Sequence, residues 1–141
     1  MSFGCSVGDF IAIAGLAFRV FIAYKYAPDA YKYISKDIAA LQVLIDRAPP
    51  HFKNMTISST DYQYGQKILE DCQAVLEDLN FLIEKYKRLA AINKNLVLGT
   101  VRLGSKDITA LQVQLVSETV LLKGFVRRFV TPAMHSTLSI L

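Results

Sequence analysis

Gly99 and Gly104, followed by Ser105 and Lys106, have the glycine spacing of a loop whose backbone N–H groups cradle phosphate. Such a loop needs its lysine before the hydroxyl residue and a strand leading into it. Here the last two residues are reversed and no strand-like alternation precedes them, so the segment reads as a glycine-containing turn followed by a Ser105 helix cap. His51 and His135 have no His, Cys or carboxylate at ligand spacing. Cys5 and Cys72 are too few to hold a metal, and the reduced thiols of a cytosolic protein are the expectation. No serine or acid stands beside a base that would activate a nucleophile. No catalytic residue, cofactor or metal is therefore expected, and the chain does not read as an enzyme.

Charge leaves one binding chemistry open. The formal net charge is +4, which favours an anionic partner. Lys85, Lys87 and Arg88, with Lys123, Arg127 and Arg128, gather toward the ends of two long periodic segments and are candidate contacts for anionic lipid headgroups. Bases late in a helix also complement its dipole, so solubility explains them without a ligand. There is no nucleic-acid-binding motif and no basic stripe interleaved with aromatic residues, so nucleic acid is set aside. With 141 residues, 52% of them hydrophobic and 20% charged, the chain suits one compact domain with a sizeable core.

The element that must position any such surface is the stretch 7–26, VGDFIAIAGLAFRVFIAYKY. It is helical in length and apolar nearly all round. Its one interrupted face carries Ala12, Gly15, Arg19 and Ala23. A helix of this kind is either central to a bundle or in contact with lipid. Ala12-Ile13-Ala14 imitates a cleavage site, but no positive charge precedes it and Asp9 stands where a signal peptide wants Lys or Arg. As a lone span, Val7 to Tyr24 would rise only about 27 Å against about 30 Å of hydrocarbon, and Arg19 inside it would cost about 2.5 to 3.5 kcal/mol. Insertion that is conditional, or within an oligomer sheltering Arg19, is the membrane reading that survives.

Taken in order, Ser6-Val7-Gly8-Asp9 is a capping box that opens this first helix, and Pro28 stops it near Tyr26 and opens a second, expected from Pro28 to about Arg47. Ile34, Ile38, Leu41 and Ile45 form the second helix's single apolar stripe, and Ala48-Pro49-Pro50 ends it. His51 to Ser59 is a polar loop whose sequon at Asn54 carries no meaning without secretion. Thr60-Asp61-Tyr62-Gln63 is a second capping box, followed by a helix of about 30 residues with Ile68, Cys72, Val75, Leu79, Leu82 and Tyr86 on one seam. After a connector, 93–104, that has room for a short helix or turn, Asp107 falls in the first turn of a last helix marked by Ile108, Leu111, Leu115, Leu122 and Phe125. It is expected to end near Phe129 and break at Thr131-Pro132. The fold class predicted is an all-α bundle of four main helices over 1–130, with 131–141 a tail or the start of a linker.

Several of these pieces together resemble the HeLo-like N-terminal domain of fungal STAND (NLR-type) receptors. The matching residues are Ser6, Gly8 and Asp9, Ala27-Pro28, Leu41, then Cys72, Val75, Leu76, Leu79 and Leu82, Lys85-Tyr86-Lys87, and Gly104, Asp107, Ile108, Leu111 and Leu115. The likeness covers residues 1 to about 130. The chain departs from it in having no tryptophan and no nucleotide-binding domain. The resemblance implies a helical bundle placed before a nucleotide-binding oligomerisation domain and a repeat sensor. In related domains the N-terminal helix is released into the plasma membrane and kills the cell.

On this basis the expected function is an effector of programmed cell death in fungal incompatibility or innate immunity, cytoplasmic until activated and then relocating to the plasma membrane. Membrane phospholipid and further copies of the chain are its expected partners. Phe10, Ile11, Phe18, Phe21 and Ile22 are the expected inserting face, and Ala12, Gly15 and Ala23 the expected close helix contacts in an oligomer. The alternative is a non-lytic interaction or autoinhibitory adaptor module.

Overall fold

The computed structural model describes the backbone of residues 7–28, 31–47, 59–95, 97, 100–103 and 106–140, without the side chains of 7–9, 47, 59 and 129–140. The chain is an all-α four-helix bundle: α1 (Val7–Lys25), α2 (Lys32–Arg47), α3 (Ser59–Ala90) and α4 (Ile108–Ile140). Among the described residues the only extended pairing is an isolated bridge between Leu103 and Lys106.

Side-chain ties fix how the helices lie. α1 and α2 are joined by the short connection 26–31 and pack as an antiparallel hairpin. α3 and α4 form a second antiparallel pair: Arg128 Nη1 lies 3.1 Å from Asp61 Oδ1, and the Tyr64 and Phe125 rings are 6.0 Å apart. The hairpins then pack with α1 parallel to α3, tied by Tyr24 and by the 6.3 Å edge contact of Tyr31 with Tyr86. On the other side α2 runs parallel to α4, tied by Gln112 and Asp37. The order around the bundle is therefore α1, α2, α4, α3.

Each helix buries the stripe that its periodicity marks. Ile34, Ile38, Leu41 and Ile45 of α2, Ile68, Cys72, Val75, Leu79 and Leu82 of α3, and Ile108, Leu111, Leu115, Leu122 and Phe125 of α4 meet Phe10, Ile13, Ala17, Val20 and Tyr24 of α1 in one core. Tyr86, expected on the α3 seam, is only half-buried, packed at the core's edge. Fully burying a Leu, Ile or Phe contributes about 1.5 to 3 kcal/mol, so these layers hold the hairpins together with few polar ties.

Four expected boundaries are corrected. α2 opens later than Pro28: the Tyr31 N–H bonds the Pro28 carbonyl in a tight turn, and the α-helix starts at Lys32. Thr60 is not a cap but lies inside α3, which begins at Ser59. The cap of α4 is Asp107, whose Oδ1 accepts from the Ala110 N–H at 2.9 Å; a carboxylate there satisfies an orphan donor and meets the positive end of the helix dipole. The last helix does not break at Thr131-Pro132 but continues to Ile140; the bond that Pro132 cannot donate and its ring's crowding of the preceding turn weaken the helix there without ending it. The connector holds a single-turn helix at Thr100, whose N–H bonds the Val97 carbonyl, and a hairpin closed by Leu103 and Lys106. The expected Ser6 and Ser105 caps, the Pro49-Pro50 end of α2, the Asn54 sequon and Cys5 lie outside the described residues.

Candidate functional site

α1 is the helix on which every functional reading turns, and the bundle divides its surface. Phe10, Ile13, Ala17, Val20 and Tyr24 recur at steps of three and four and face the core. Of the expected inserting residues, Phe10 is thus fully buried in this arrangement, and Phe21 and Ile22 are half-buried. Ile11 and Phe18 alone of that set stand in solvent, at 62% and 52% exposure. Ala12 and Gly15 are exposed, and a Cβ built on Gly15 would meet nothing within 4 Å. Ala23 packs half-buried against the core. The bundle uses no close approach at Gly15.

One buried polar bond ties α1 to α3. The Tyr24 hydroxyl donates to the Leu79 carbonyl at 2.9 Å, using a lone pair that α3's own ladder leaves over. Burial foremost, and the Tyr33 charge after it, raise the Tyr24 phenol well above its ordinary range, so it stays protonated and donating. Farther along, Ala12, Ile13, Leu16 and Arg19 face Gln73 and Glu77 across a shallow groove between the two helices. Gln73 donates to Glu77 at 2.9 Å. Near the end of α1, the Lys25 ammonium lies 5.9 Å from the Phe21 ring centre and 5.8 Å from that of Tyr26.

The basic residues do not form one surface. Lys85, Lys87 and Arg88 sit at the C-terminal end of α3, where the Lys85 ammonium donates to the Arg102 carbonyl at 3.2 Å. Lys123, Arg127 and Arg128 sit at the other end, where Arg128 meets Asp61. Asp61 and Arg88 are 27 residues apart on α3, about 40 Å at 1.5 Å per residue. Lys87, Arg88, Lys123 and Arg127 are exposed. Any anionic surface therefore meets two separate clusters.

Sequence reasoning passed over a carboxylate between α3 and α4. Glu118 is raised above the usual carboxyl range by burial first and by Asp71 second, against the lowering effect of Lys67. Its Oε2 is buried without a hydrogen-bond partner, while Lys67 is paired with Asp71 at 3.3 Å. Its signal was its place: on α4 it stands between the core positions Leu115 and Leu122, where a solvated acid does not belong. Cys72 nearby is fully buried, its thiol pushed up to about 12 by burial and then by the charges of Glu118 and Asp71.

For the phosphate-loop spacing, Gly99, Gly104 and Ser105 lie outside the described residues. Lys106 bonds Gln114 at 3.3 Å and lies 3.8 Å from Asp78. Among the described residues no three His, Cys, Asp or Glu side chains come together, and no helix is long and apolar enough to cross a membrane. His51 and the His135 side chain lie outside the described residues. No protein-family model matches the chain, and neither curated proteins nor solved structures yield a match.

Proposed function

We propose that the chain is a membrane-directed effector domain, similar in kind to the HeLo-like domains of fungal NLR-type receptors, in which α1 leaves the bundle and inserts into a bilayer. The observation that carries this reading is the division of α1. A core helix has no need of Ile11 and Phe18 at half exposure or more, whereas a helix that exchanges protein for lipid needs apolar residues on both sides. Its buried side chains stay out of water in either place, so the exchange costs little hydrophobic free energy. Arg19 and the short length argue against a lone span, so insertion by several copies together, with Ala12 and Gly15 between neighbouring helices, fits best. The domain acts in regulated cell death, moving from the cytoplasm to the plasma membrane when activated.

The test is a tether. Leu16→Cys with Gln73→Cys, in a Cys5→Ser background, places thiols on the two walls of the groove between α1 and α3, to be joined as a disulfide or by a short bis-maleimide. Leakage of anionic vesicles, and toxicity on expression in a fungal cell, should be lost in the joined protein and return when a disulfide is reduced. Equal leakage in both states, with the linkage verified by mass, would remove α1 release as the mechanism. No leakage from the untethered protein at any lipid composition would leave the adaptor reading, which the exposed apolar face of α4 independently favours.

A further inference from the structure

Ala110, Val113, Ser117, Val120 and Gly124 follow one another along α4 at steps of three, four, three and four, which sets them in one row. The row points away from the core: all five are exposed, Val113 at 65% and Val120 at 63%. Val116 and Leu121 flank it, also exposed. From Ile108 to Leu122 the only charged residue of α4 is Glu118, and it is turned toward Asp71 and Lys67 on α3. A helix face that meets only water is normally charged; four turns of exposed small residues and valine without a charge mark an interaction surface.

The pattern of sizes selects the partner. Small, valine, small, valine, small is the same in both directions about Ser117. An identical helix laid antiparallel across this one sets Ala110 against Gly124 of the other copy and Ser117 against Ser117, with Val113 and Val120 within one residue of each other. The small residues let the two backbones approach, and a Cβ built on Gly124 meets nothing within 4 Å in the single chain. Faces that lie in a membrane surface carry Trp, Phe and Leu, and this row has none.

Charge selects the direction. Gln112 and Lys123 are eleven residues apart, three helical turns, so they leave α4 on the same side. The Gln112 amide donates to Asp37 Oδ2 at 3.0 Å, so that side faces α2. Antiparallel overlay about Ser117 lays position 123 opposite 111, one residue from Gln112, which brings Lys123 of each copy to the neighbourhood of Asp37 of the other, twice by symmetry. A parallel overlay would instead put Lys123 of each copy on the side of the pair away from the other copy's Asp37, and no such ion pair would form.

We infer that the outer row of α4 is the interface of an antiparallel homodimer, closed at both ends by Lys123–Asp37 ion pairs between copies. A shallow groove lined by Asp37, Ala40, Val116, Thr119 and Val120 continues the surface onto α2, where Val43 is also exposed. The exposed apolar area of this patch is about 400 Å² per copy, in the range of functional patches. Stable interfaces begin at about 1,200 Å² in total; one helix row with its polar rim belongs at that lower end, so the dimer forms with rising concentration. The inference does not rest on membrane activity, because α1 stands at the opposite corner of the bundle and is left free by it.

The decisive experiment is cross-linking with sedimentation in a Cys5→Ser background. Ser117→Cys should form a disulfide-linked dimer under mild oxidation at least tenfold faster than Glu70→Cys, which is exposed on α3. Ala110→Cys mixed with Gly124→Cys should cross-link to each other faster than either does to itself. Lys123→Asp and Asp37→Lys should each weaken the dimer about tenfold, and the two together should restore it. Circular dichroism shows that each variant is folded, and the cysteine variants carry the test should a charge variant fail to fold. A monomer throughout the millimolar range, Ser117→Cys reacting no faster than the control, or no rescue in the double exchange would overturn the proposal. So would a probe on Ser117→Cys that enters anionic vesicles while the protein remains monomeric, which would assign the row to lipid.

Discussion

Tyr24 is the residue at which the stability of the bundle and the release of its first helix meet. Tyr24→Phe keeps the buried ring and removes only the bond to Leu79, whose carbonyl keeps its place in the α3 ladder. The expected cost is about 0.5 to 1.5 kcal/mol, seen as a lower urea midpoint with an unchanged slope; if α1 is released in action, vesicle leakage should rise in the same variant. Glu118 gives the molecule a pH dependence. A carboxyl whose folded pKa is raised makes the native state bind more protons than the unfolded chain, so stability falls as pH rises from the ordinary glutamate value of 4.5 through the raised one. Glu118→Gln should flatten that decline. Its gain at pH 7 should be at most about 1 kcal/mol, because the group is only partly shielded from solvent. Cys72, buried and with its thiol pushed up to about 12, should resist thiol reagents at pH 8 until denaturant is added, while Cys5 is expected to react in the native protein.

At the scale of the element, α1 and α4 share a property that α2 and α3 lack: each is apolar on a second side. In α2 and α3 one stripe is buried and the remainder is mainly charged or polar, with single exposed apolar residues such as Val43 and Phe81, which is the pattern of helices that serve the bundle. In α1 the second side presents Ile11 and Phe18, and in α4 it presents Val113 and Val120. The ends of α4 are held differently from those its sequence advertises. Asp107→Ala should cost about 1 kcal/mol by freeing the Ala110 N–H, measured by thermal unfolding. Asp107→Asn, which keeps the acceptor, should recover most of that loss, and a Ser105→Ala variant should leave the Asp107 cap in place.

The whole molecule is two antiparallel hairpins laid side by side, and its polarity along the bundle axis follows from that. The C-terminal end of α3 carries Lys85, Lys87 and Arg88, and the far end carries Lys123 and Arg127 with Arg128, so anionic vesicles are offered two sites about 40 Å apart. Exchanging Lys87 and Arg88 for glutamine should weaken vesicle association without abolishing it, and the same holds for Lys123 and Arg127. All four exchanges together should remove the salt-sensitive part of the binding, as read by co-sedimentation at low and high salt. If one pair alone removes all association, only one end of the bundle meets the membrane.

The amino-acid sequence by itself determined the helices and which stripe of α2, α3 and α4 is inside, because spacing at three and four residues is a local property that any packed partner must respect. It also marked α1 as the helix that does not commit to one side. Helix ends were less legible: Ser105 and Asp107 are both competent caps, and the choice between them depends on how the Leu103–Lys106 hairpin delivers the chain to α4. What only the tertiary structure decided is which helix stands beside which. The antiparallel run of α3 and α4 separates the basic clusters, and the order α1, α2, α4, α3 buries Phe10 while exposing Phe18 and sets Gln112 against Asp37. None of these can be read from one helix, because stripes of Leu, Ile and Val pack against one another with little discrimination and the neighbours are chosen by the sum of all contacts.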